Sequence, residues 1–163
     1  MNKPVKENAH LNASYQKVFN TAIRLLARRD HSEYELIQKL KQRGFETDVI
    51  ARVISECARL NYLNDERTAE VFIRQFKRKG YGKKRIQIEL NRKGLKGKRI
   101  TDILYKSVSE SDEREAAKRV LKKNKKKFEG ENDPLKRRDK IYRLLYTKGI
   151  SEGIINDLVQ KFR

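Results

Sequence analysis

The amino-acid sequence predicts an all-α protein built as a tandem array of three three-helix repeats, similar to a solenoid. One pattern of apolar residues recurs around Gly44, Gly94 and Gly149, which indicates a repeated unit. Apolar residues also recur at helical spacing along the chain, and no segment has the alternation typical of a strand. Because each repeat is too small to bury a substantial core alone, neighbouring repeats are expected to stack.

The repeated pattern has an apolar residue eight positions before the glycine, leucine four before, an apolar residue directly after, and a pair five to six after. The first two share a helical face, and glycine adopts the left-handed conformation that ends a helix. We therefore interpret each glycine as the C′ residue between two helices, although three basic amphipathic hairpins could also look alike by chance. The residues at these positions are Leu36, Leu40, Phe45, Val49 and Ile50 in the first repeat; Ile86, Leu90, Leu95, Arg99 and Ile100 in the second; and Ile141, Leu145, Ile150, Ile154 and Ile155 in the third. Of these, only Arg99 breaks the rule.

The first predicted repeat covers residues 15–63 and follows an N-terminal tail of residues 1–14. An apolar stripe over residues 15–29 predicts its first helix. Ser32 and Glu35 match a capping box for a second helix that runs to Arg43, and a third helix is predicted over about Thr47 to Leu60.

The second predicted repeat covers residues 64–108. Asn64 is its predicted N-cap and Gly80 ends its first helix, and further helices are predicted over about 83–93 and 97–108.

The third predicted repeat covers residues 109–163, with a polar insertion near 129–134. Its first helix is predicted to begin near Asp112 and to carry a thin apolar stripe of Ala117, Val120, Leu121 and Phe128. Asp133 and Pro134 suit an N-cap and first helical residue, and the last two helices are predicted to reach Lys148 and to span about 151–162.

The charge of the chain is strongly positive, with 41 basic and 22 acidic side chains and a net charge of +19. Such a charge favours a polyanionic partner. Residues 65–106 carry 14 basic and 5 acidic side chains, and Glu89 is the only acid among eleven cations between positions 77 and 99. This density predicts phosphate contacts, although a basic face can also serve solubility alone. The second repeat is therefore the predicted electrostatic centre.

Two further features allow more than one interpretation. Tyr81 could stack on an unpaired base, but it fits better as the apolar contact that follows a helix C-cap. A second basic patch could contact a partner or could be a solvated, frayed helix end; it consists of Lys122, Lys123, Lys125, Lys126 and Lys127.

Catalysis is not predicted, because no catalytic, metal-binding or cofactor-binding pattern is present. His10 and His31 are far apart in a predicted tail and loop, and no phosphate-binding glycine loop occurs. Adjacent acids such as Asp112 and Glu113 are explained by the dipole of a helix N-terminus. Cys57 fits a core position, and the chain shows neither a signal-peptide pattern nor a membrane span. A reducing compartment is expected.

Three stretches closely resemble the RecX family of RecA regulators. They are Leu25-Leu26-Ala27-Arg28-Arg29-Asp30-His31-Ser32 with Glu35-Leu36 and Lys39-Leu40; Tyr62-Leu63-Asn64-Asp65-Glu66-Arg67; and Gly80-Tyr81-Gly82-Lys83-Lys84-Arg85-Ile86 before Glu89-Leu90. The resemblance covers about residues 15–108 strongly and the third repeat weakly. The sequence departs from the family pattern at Asn61, Asn64, Thr68 and Lys83, where the family often has glycine, aspartate, phenylalanine and proline.

The resemblance implies an elongated, curved array of three-helix repeats in a cytoplasmic bacterial protein that is not an enzyme. It also implies binding to RecA and the RecA–DNA filament, with suppression of recombinase and co-protease activity. We expect a monomer that contacts filament carboxylates or the phosphates of single- or double-stranded DNA. The motifs support Arg28, Arg29 and Arg85, and charge density supports the rest of the predicted surface, which is Lys77, Arg78, Lys83, Lys84, Arg92 and Lys93.

Two alternatives stay open at this point. The chain could bind nucleic acid alone, with short helices used as in a helix-turn-helix protein, or it could associate with structured RNA.

Overall fold

The computed structural model describes the backbone of residues 4–160 and the side chains of residues 12–160. Throughout this range the protein is all-α, as predicted, and contains no β-strand. The helices are α1 (Pro4–Arg28), α2 (Glu33–Lys41), α3 (Thr47–Arg59), α4 (Asp65–Arg78), α5 (Lys83–Arg92), α6 (Lys98–Ser107), α7 (Glu110–Lys123), α8 (Lys125–Glu129), α9 (Pro134–Thr147) and α10 (Glu152–Gln160).

The described residues form two compact units. Unit 1 contains the residues up to Thr68 together with Lys93–Leu95, and unit 2 contains Ala69–Arg92 and the residues from Lys96 onward. The predicted boundaries of the three repeats stay predictions.

Unit 1 is a small core of α1, α2 and α3. Ser32 caps α2 in the predicted capping box: its side chain accepts from the Glu35 N–H, while the Glu35 side chain accepts from the Ser32 N–H. Cys57 is buried as predicted, and burial raises the pKa of its thiol. The core residues are Val18, Ala22, Leu25, Leu36, Leu40, Val49, Ile50, Val53, Ile54, Cys57 and Leu63.

Unit 2 contains the helices from α4 to α10, except for the first residues of α4. In one part of it, α7 and α9 pack on each other and on α10. Asp133 caps α9 as predicted, because its side chain accepts from the N–H groups of Leu135 and Lys136 at 2.9 and 3.3 Å. One core cluster of this unit consists of Ala116, Ala117, Val120, Leu121, Ile141, Leu145, Ile150, Ile154, Ile155, Leu158 and Val159.

The three glycines of the repeated pattern adopt the predicted left-handed conformation. Gly44, Gly94 and Gly149 have φ values of +77°, +79° and +73°. The residues eight and four positions before each glycine are fully buried, whereas Arg99, which breaks the pattern, is exposed. The apolar pattern therefore identified the buried faces of the helices before and after each of these glycines.

Some predicted helix boundaries were wrong. Helix α1 begins at Pro4, before the predicted start at Tyr15. Helix α7 begins at Glu110, two residues before Asp112, because Ser109 is the N-cap of a capping box with Asp112. The predicted end of the last helix near Phe162 lies outside the described residues.

The predicted stripe from Ala117 to Phe128 is divided between two helices. Helix α7 ends at Lys123. Its C-cap is Asn124, whose backbone leaves the helical conformation with φ −105° and ψ 12° and whose side-chain amide donates to the Val120 carbonyl at 2.8 Å. Phe128 therefore lies in the short α8, and the described part of the segment predicted as a three-helix repeat contains four helices.

A similar pair of contacts occurs within each unit. In unit 1, the carboxylate of Asp65 accepts from the Glu33 N–H at 2.8 Å, and the hydroxyl of Ser32 donates to the carbonyl of Lys93. In unit 2, Glu113 accepts from the Lys83 N–H at 2.9 Å, and the Gly82 N–H donates to the carbonyl of Lys148 at 2.9 Å. In both units, a carboxylate from the first turn of one helix accepts a hydrogen bond from a backbone N–H at the start of another helix.

Candidate functional site

The predicted basic surface is divided between the two units. Unit 1 holds Arg28, Arg29 and Lys93, and unit 2 holds Lys77, Arg78, Lys83, Lys84, Arg85 and Arg92. The local surroundings of these side chains decide how readily each could bind an anion.

Arg29 and Lys93 share one carboxylate in unit 1. The Nη1 atom of Arg29 lies 3.2 Å from a Glu35 oxygen, and the Nζ atom of Lys93 lies 2.8 Å from the other. Burial opposes the ionisation of Glu35, but the hydrogen bonds from Arg29 and Lys93 outweigh it and lower the pKa of Glu35. An external anion would have to compete with this carboxylate for both cations.

Arg28 has a different environment, at the exposed end of α1. It lines a cavity of about 480 Å³ together with Thr21, Arg24, Leu25 and Arg43. Arg24 and Arg43 were not predicted as site residues. The four-residue spacing of Arg24 and Arg28 on one helix could have indicated the first, but Arg43 comes from a distant turn.

Lys83 and Lys84 lie in the first turn of α5 in unit 2. The backbone N–H of Lys83 is held by Glu113, and its ammonium group lies 5.0 Å from the centre of the Tyr105 ring. Lys84 is exposed and forms an ion pair with Glu152 at 3.2 Å. Exposed pairs of this kind contribute little stability, so Lys84 could exchange Glu152 for an external phosphate at small cost.

Arg85 and Arg92 both bind Glu89, the isolated acid of the basic segment. Their guanidinium nitrogens lie 2.7 and 3.3 Å from the same Glu89 oxygen. Arg85 is partly buried, its guanidinium lies 5.6 Å from the centre of the Tyr81 ring, and its Nε atom has no hydrogen-bond partner among the described residues. Arg85 therefore packs inside unit 2 as well as carrying charge.

Tyr81 has the structural role that the sequence predicted for it. Gly80, with φ +75°, ends the turn after α4, and the Tyr81 N–H donates to the Phe76 carbonyl at 3.1 Å. The Tyr81 ring stacks on Phe76 with their centres 5.9 Å apart. This is the apolar contact that accompanies a glycine C-cap.

Lys77 also has internal partners, while its neighbour Arg78 is exposed. The ammonium group of Lys77 donates to the Ser107 carbonyl at 2.8 Å and lies 3.1 Å from Asp112. Hydrogen bonds from Ser109, with a further contribution from Lys77, lower the pKa of Asp112 to about 2. Lys77 therefore helps to hold the start of α7.

The depressed pKa of Asp112 predicts a pH-dependent contribution to stability. Because its folded pKa lies below the unfolded value of 3.8, the contribution is present above the unfolded pKa and is lost as the pH falls through about 4 towards 2. The carboxylate is partly exposed, so solvent screening limits the effect to about 1 kcal/mol. Urea unfolding of wild type and Asp112→Asn should show a larger stability difference at pH 6 than at pH 2.5. An equal difference at both pH values would contradict this assignment.

The second basic patch lies on the end of α7 and on α8. All five lysines are exposed, and Lys125 forms an ion pair with Glu129 at 3.2 Å. Lys122 and Lys125 also line an apolar cavity of about 520 Å³ whose walls include Leu121 and Phe128. These lysines therefore adjoin a concave surface, and their binding role stays a prediction.

Neither histidine was predicted to act in catalysis or metal binding. His31 is buried in the loop after α1, where its Nδ1 atom lies 2.9 Å from the Arg29 carbonyl oxygen, and burial lowers its pKa. The side chain of His10 lies outside the described range. Within that range, no three side chains of the His, Cys, Asp and Glu types gather as a metal site would require. Nor does any described helix have the length and apolar character to cross a membrane.

The comparisons with known proteins all match one protein family. A family model described as the first three-helix domain of RecX matches residues 19–57, and one described as the second three-helix domain of RecX matches residues 64–104. The regulatory protein RecX of Legionella pneumophila (strain Corby) is 34% identical over 148 residues, which cover 90% of this chain and 95% of that protein. The protein of the same name from Haemophilus influenzae (strain PittEE) is 32% identical over 142 residues, which cover 86% of this chain and 91% of that protein.

Two solved structures have the same fold. A crystal structure of RecX from Lactobacillus salivarius superposes with a TM-score of 0.76 at 22% identity, and the match covers 93% of this chain and 97% of that one. A crystal structure of another regulatory protein RecX superposes with a TM-score of 0.86 at 18% identity over 99% of this chain and 79% of that one.

Proposed function

Because the chain belongs to the RecX family of regulatory proteins, we propose that it binds RecA and the RecA–DNA filament and inhibits the recombinase and co-protease activities of RecA. Family membership is the observation that carries this proposal. The net charge of +19 supports it, since a filament that contains DNA is a polyanion.

The proposed mechanism is groove binding in the cytoplasm, without chemistry by the regulator. A chain with basic side chains along much of its length can make many weak contacts in series along a groove. Such contacts would block a second DNA strand or hinder growth of the filament. The proposed contact surface is the predicted one, with Lys122, Lys123, Lys125, Lys126 and Lys127 as a second patch.

The contribution of each cation should depend on its internal partners. Arg29 and Lys93 must weaken their ion pairs with Glu35, and Lys77 must break its ion pair with Asp112, before they can bind an external anion. Arg28 and Arg78 are exposed and have no ion pair among the described side chains. We therefore expect Arg28 and Arg78 to contribute more affinity than Arg29, Lys77 or Lys93.

The alternative function is nucleic-acid binding without RecA. The excess of basic side chains favours it, because charge alone can supply non-specific affinity for DNA or RNA. This function predicts that any effect on RecA requires enough protein to cover the DNA. The proposed filament regulator should act at lower ratios of this protein to RecA.

The test is RecA-catalysed ATP hydrolysis and strand exchange on single-stranded DNA, with this protein titrated well below the RecA concentration. Strong inhibition at such ratios is expected, since one regulator bound to a filament affects many RecA subunits. Absence of inhibition even at excess protein would overturn the proposal and leave the stand-alone binder as the better account.

A patch variant tests the proposed surface in the same assay. Replacing Lys83, Lys84 and Arg85 together by alanine should weaken inhibition, because it removes three cations from the start of α5. A matched variant replaces three exposed cations outside the surface, namely Lys17, Arg74 and Arg119. If both variants fold and inhibit equally, the assignment of this patch is wrong.

A further inference from the structure

Three arginines line one cavity in unit 1. The cavity has a volume of about 480 Å³, and its lining consists of Thr21, Arg24, Leu25, Arg28 and Arg43. No carboxylate belongs to the lining among the described residues. Its described lining therefore consists of three cations, one hydroxyl and one apolar side chain.

The packed core of unit 1 fixes where these arginines lie. Thr21, Arg24, Leu25 and Arg28 share one face of α1 because they are spaced three and four residues apart. Leu25 anchors this face in the core with α2 and α3. Arg43 follows the end of α2, in the turn that Gly44 completes.

Two of the guanidinium groups are also held by backbone carbonyls. The Nε atom of Arg24 donates to Asn20 at 3.2 Å, and the Nη1 atom of Arg43 donates to Lys39 at 2.9 Å. These bonds leave further N–H groups on each guanidinium. Each of these two arginines is therefore positioned by its own helix or turn and can still bind a ligand.

The lack of ion pairs distinguishes these arginines from others of the chain. Arg59 binds Glu56 with both ends of its guanidinium group, and Arg114 binds Glu110 and Asp157. Among the side chains that the structure describes, no carboxylate lies within ion-pair distance of Arg24, Arg28 or Arg43. Their mutual repulsion would be relieved by an anion bound in the cavity.

We propose that Arg24, Arg28 and Arg43 form a binding site for a phosphate group. A phosphate presents oxygen atoms in several directions, so guanidinium groups from α1 and from the turn after α2 can bind it together. A carboxylate, which is planar, suits a single guanidinium better. None of the described residues that line the cavity is aromatic, so they offer no surface on which a base could stack.

The phosphate could belong to a DNA backbone or to a small molecule. The first source rests on the proposed function, in which DNA is part of the partner, and would make this cavity one of its contact points. The second source does not depend on it. The experiment separates the two by using an oligonucleotide and inorganic phosphate as distinct probes, both without RecA.

The test variant replaces Arg24 and Arg43 by glutamine, and the control replaces Arg52 and Arg59 by glutamine. Both lose two cations from unit 1, and circular dichroism melting confirms that both fold. With a fluorescein-labelled thymidine oligonucleotide, the test variant should bind about tenfold more weakly or worse at low salt. Its plot of log affinity against log salt should be shallower by about 0.7, as expected for one lost phosphate contact on a single strand. The control should keep the wild-type slope.

The second arm measures thermal stabilisation by inorganic phosphate against chloride at equal ionic strength. A rise in wild-type melting temperature that the test variant lacks, without any difference in oligonucleotide binding, would identify the ligand as a small phosphate. If the test variant matches the control with both probes, the site does not exist. Because RecA is absent, a failure of RecA inhibition leaves these outcomes unaffected, and a failure here leaves the proposed function standing.

Discussion

Replacing Gly149 by alanine is expected to destabilise the fold by about 2–5 kcal/mol, the largest loss that we predict for one methyl group in this chain. Gly149 has φ +73°, and a left-handed conformation costs an alanine about 1–2 kcal/mol. A Cβ atom here would also overlap the backbone nitrogen and Cβ atom of Arg85. Since backbone cannot move aside as a flexible side chain can, α5 would have to shift.

Gly44 offers a matched control for the conformational part of this effect. It has a similar φ of +77°, but an added Cβ atom would meet no other atom within 4 Å. Gly44→Ala should therefore cost only about 1 kcal/mol. Urea unfolding of both variants measures the difference. Equal losses would show that the close approach of Gly149 to α5 has no energetic importance.

Replacing Glu113 by alanine is expected to cost about 2–3 kcal/mol, which is the second large effect. Its side chain is only 4% exposed and accepts from the Lys83 N–H at 2.9 Å. Hydrogen bonds to charged groups contribute about 1.5–3 kcal/mol, and a buried donor that loses its partner costs a similar amount. The loss would fall on the first turn of α5, which carries Lys83, Lys84 and Arg85.

Two further variants make the Glu113 prediction specific. Glu113→Gln keeps an oxygen that can accept from Lys83, so it should lose about 1 kcal/mol and remain more stable than the alanine variant. Glu115→Ala removes an exposed acid of the same helix that pairs with Lys118, and it should leave stability nearly unchanged. Thermal or urea unfolding checks all three. A loss for Glu115→Ala as large as for Glu113→Ala would exclude burial as the cause.

The helices were predictable because they depend on contacts between near neighbours in the sequence. The capping box of Ser32 and Glu35 and the Asp133–Pro134 start of α9 are patterns within three residues, and both occur in the structure. The errors arose where local signals were weak. Asn124 interrupts the stripe before Phe128 through a bond to its own helix, and neither glycine nor proline marks the position.

The basic surface was predictable as a concentration of charge but not as an arrangement of contacts. The segment from 77 to 99 is depleted of acids in the sequence, yet Lys77 binds Asp112 and Lys84 binds Glu152 from later helices. Those acids lie more than thirty residues away along the chain. Counting neighbours in the sequence therefore overestimates how much of this charge is available to a partner.

The sequence by itself determined that this protein is all-α, where its helices turn at Gly44, Gly94 and Gly149, which faces are buried, and which family it resembles. Each of these depends on spacing within a few residues, which the sequence states directly. Only the tertiary structure decided which cations are paired with acids and that Arg24, Arg28 and Arg43 line one cavity. Such groupings depend on how helices pack, because packing brings together side chains that the sequence separates.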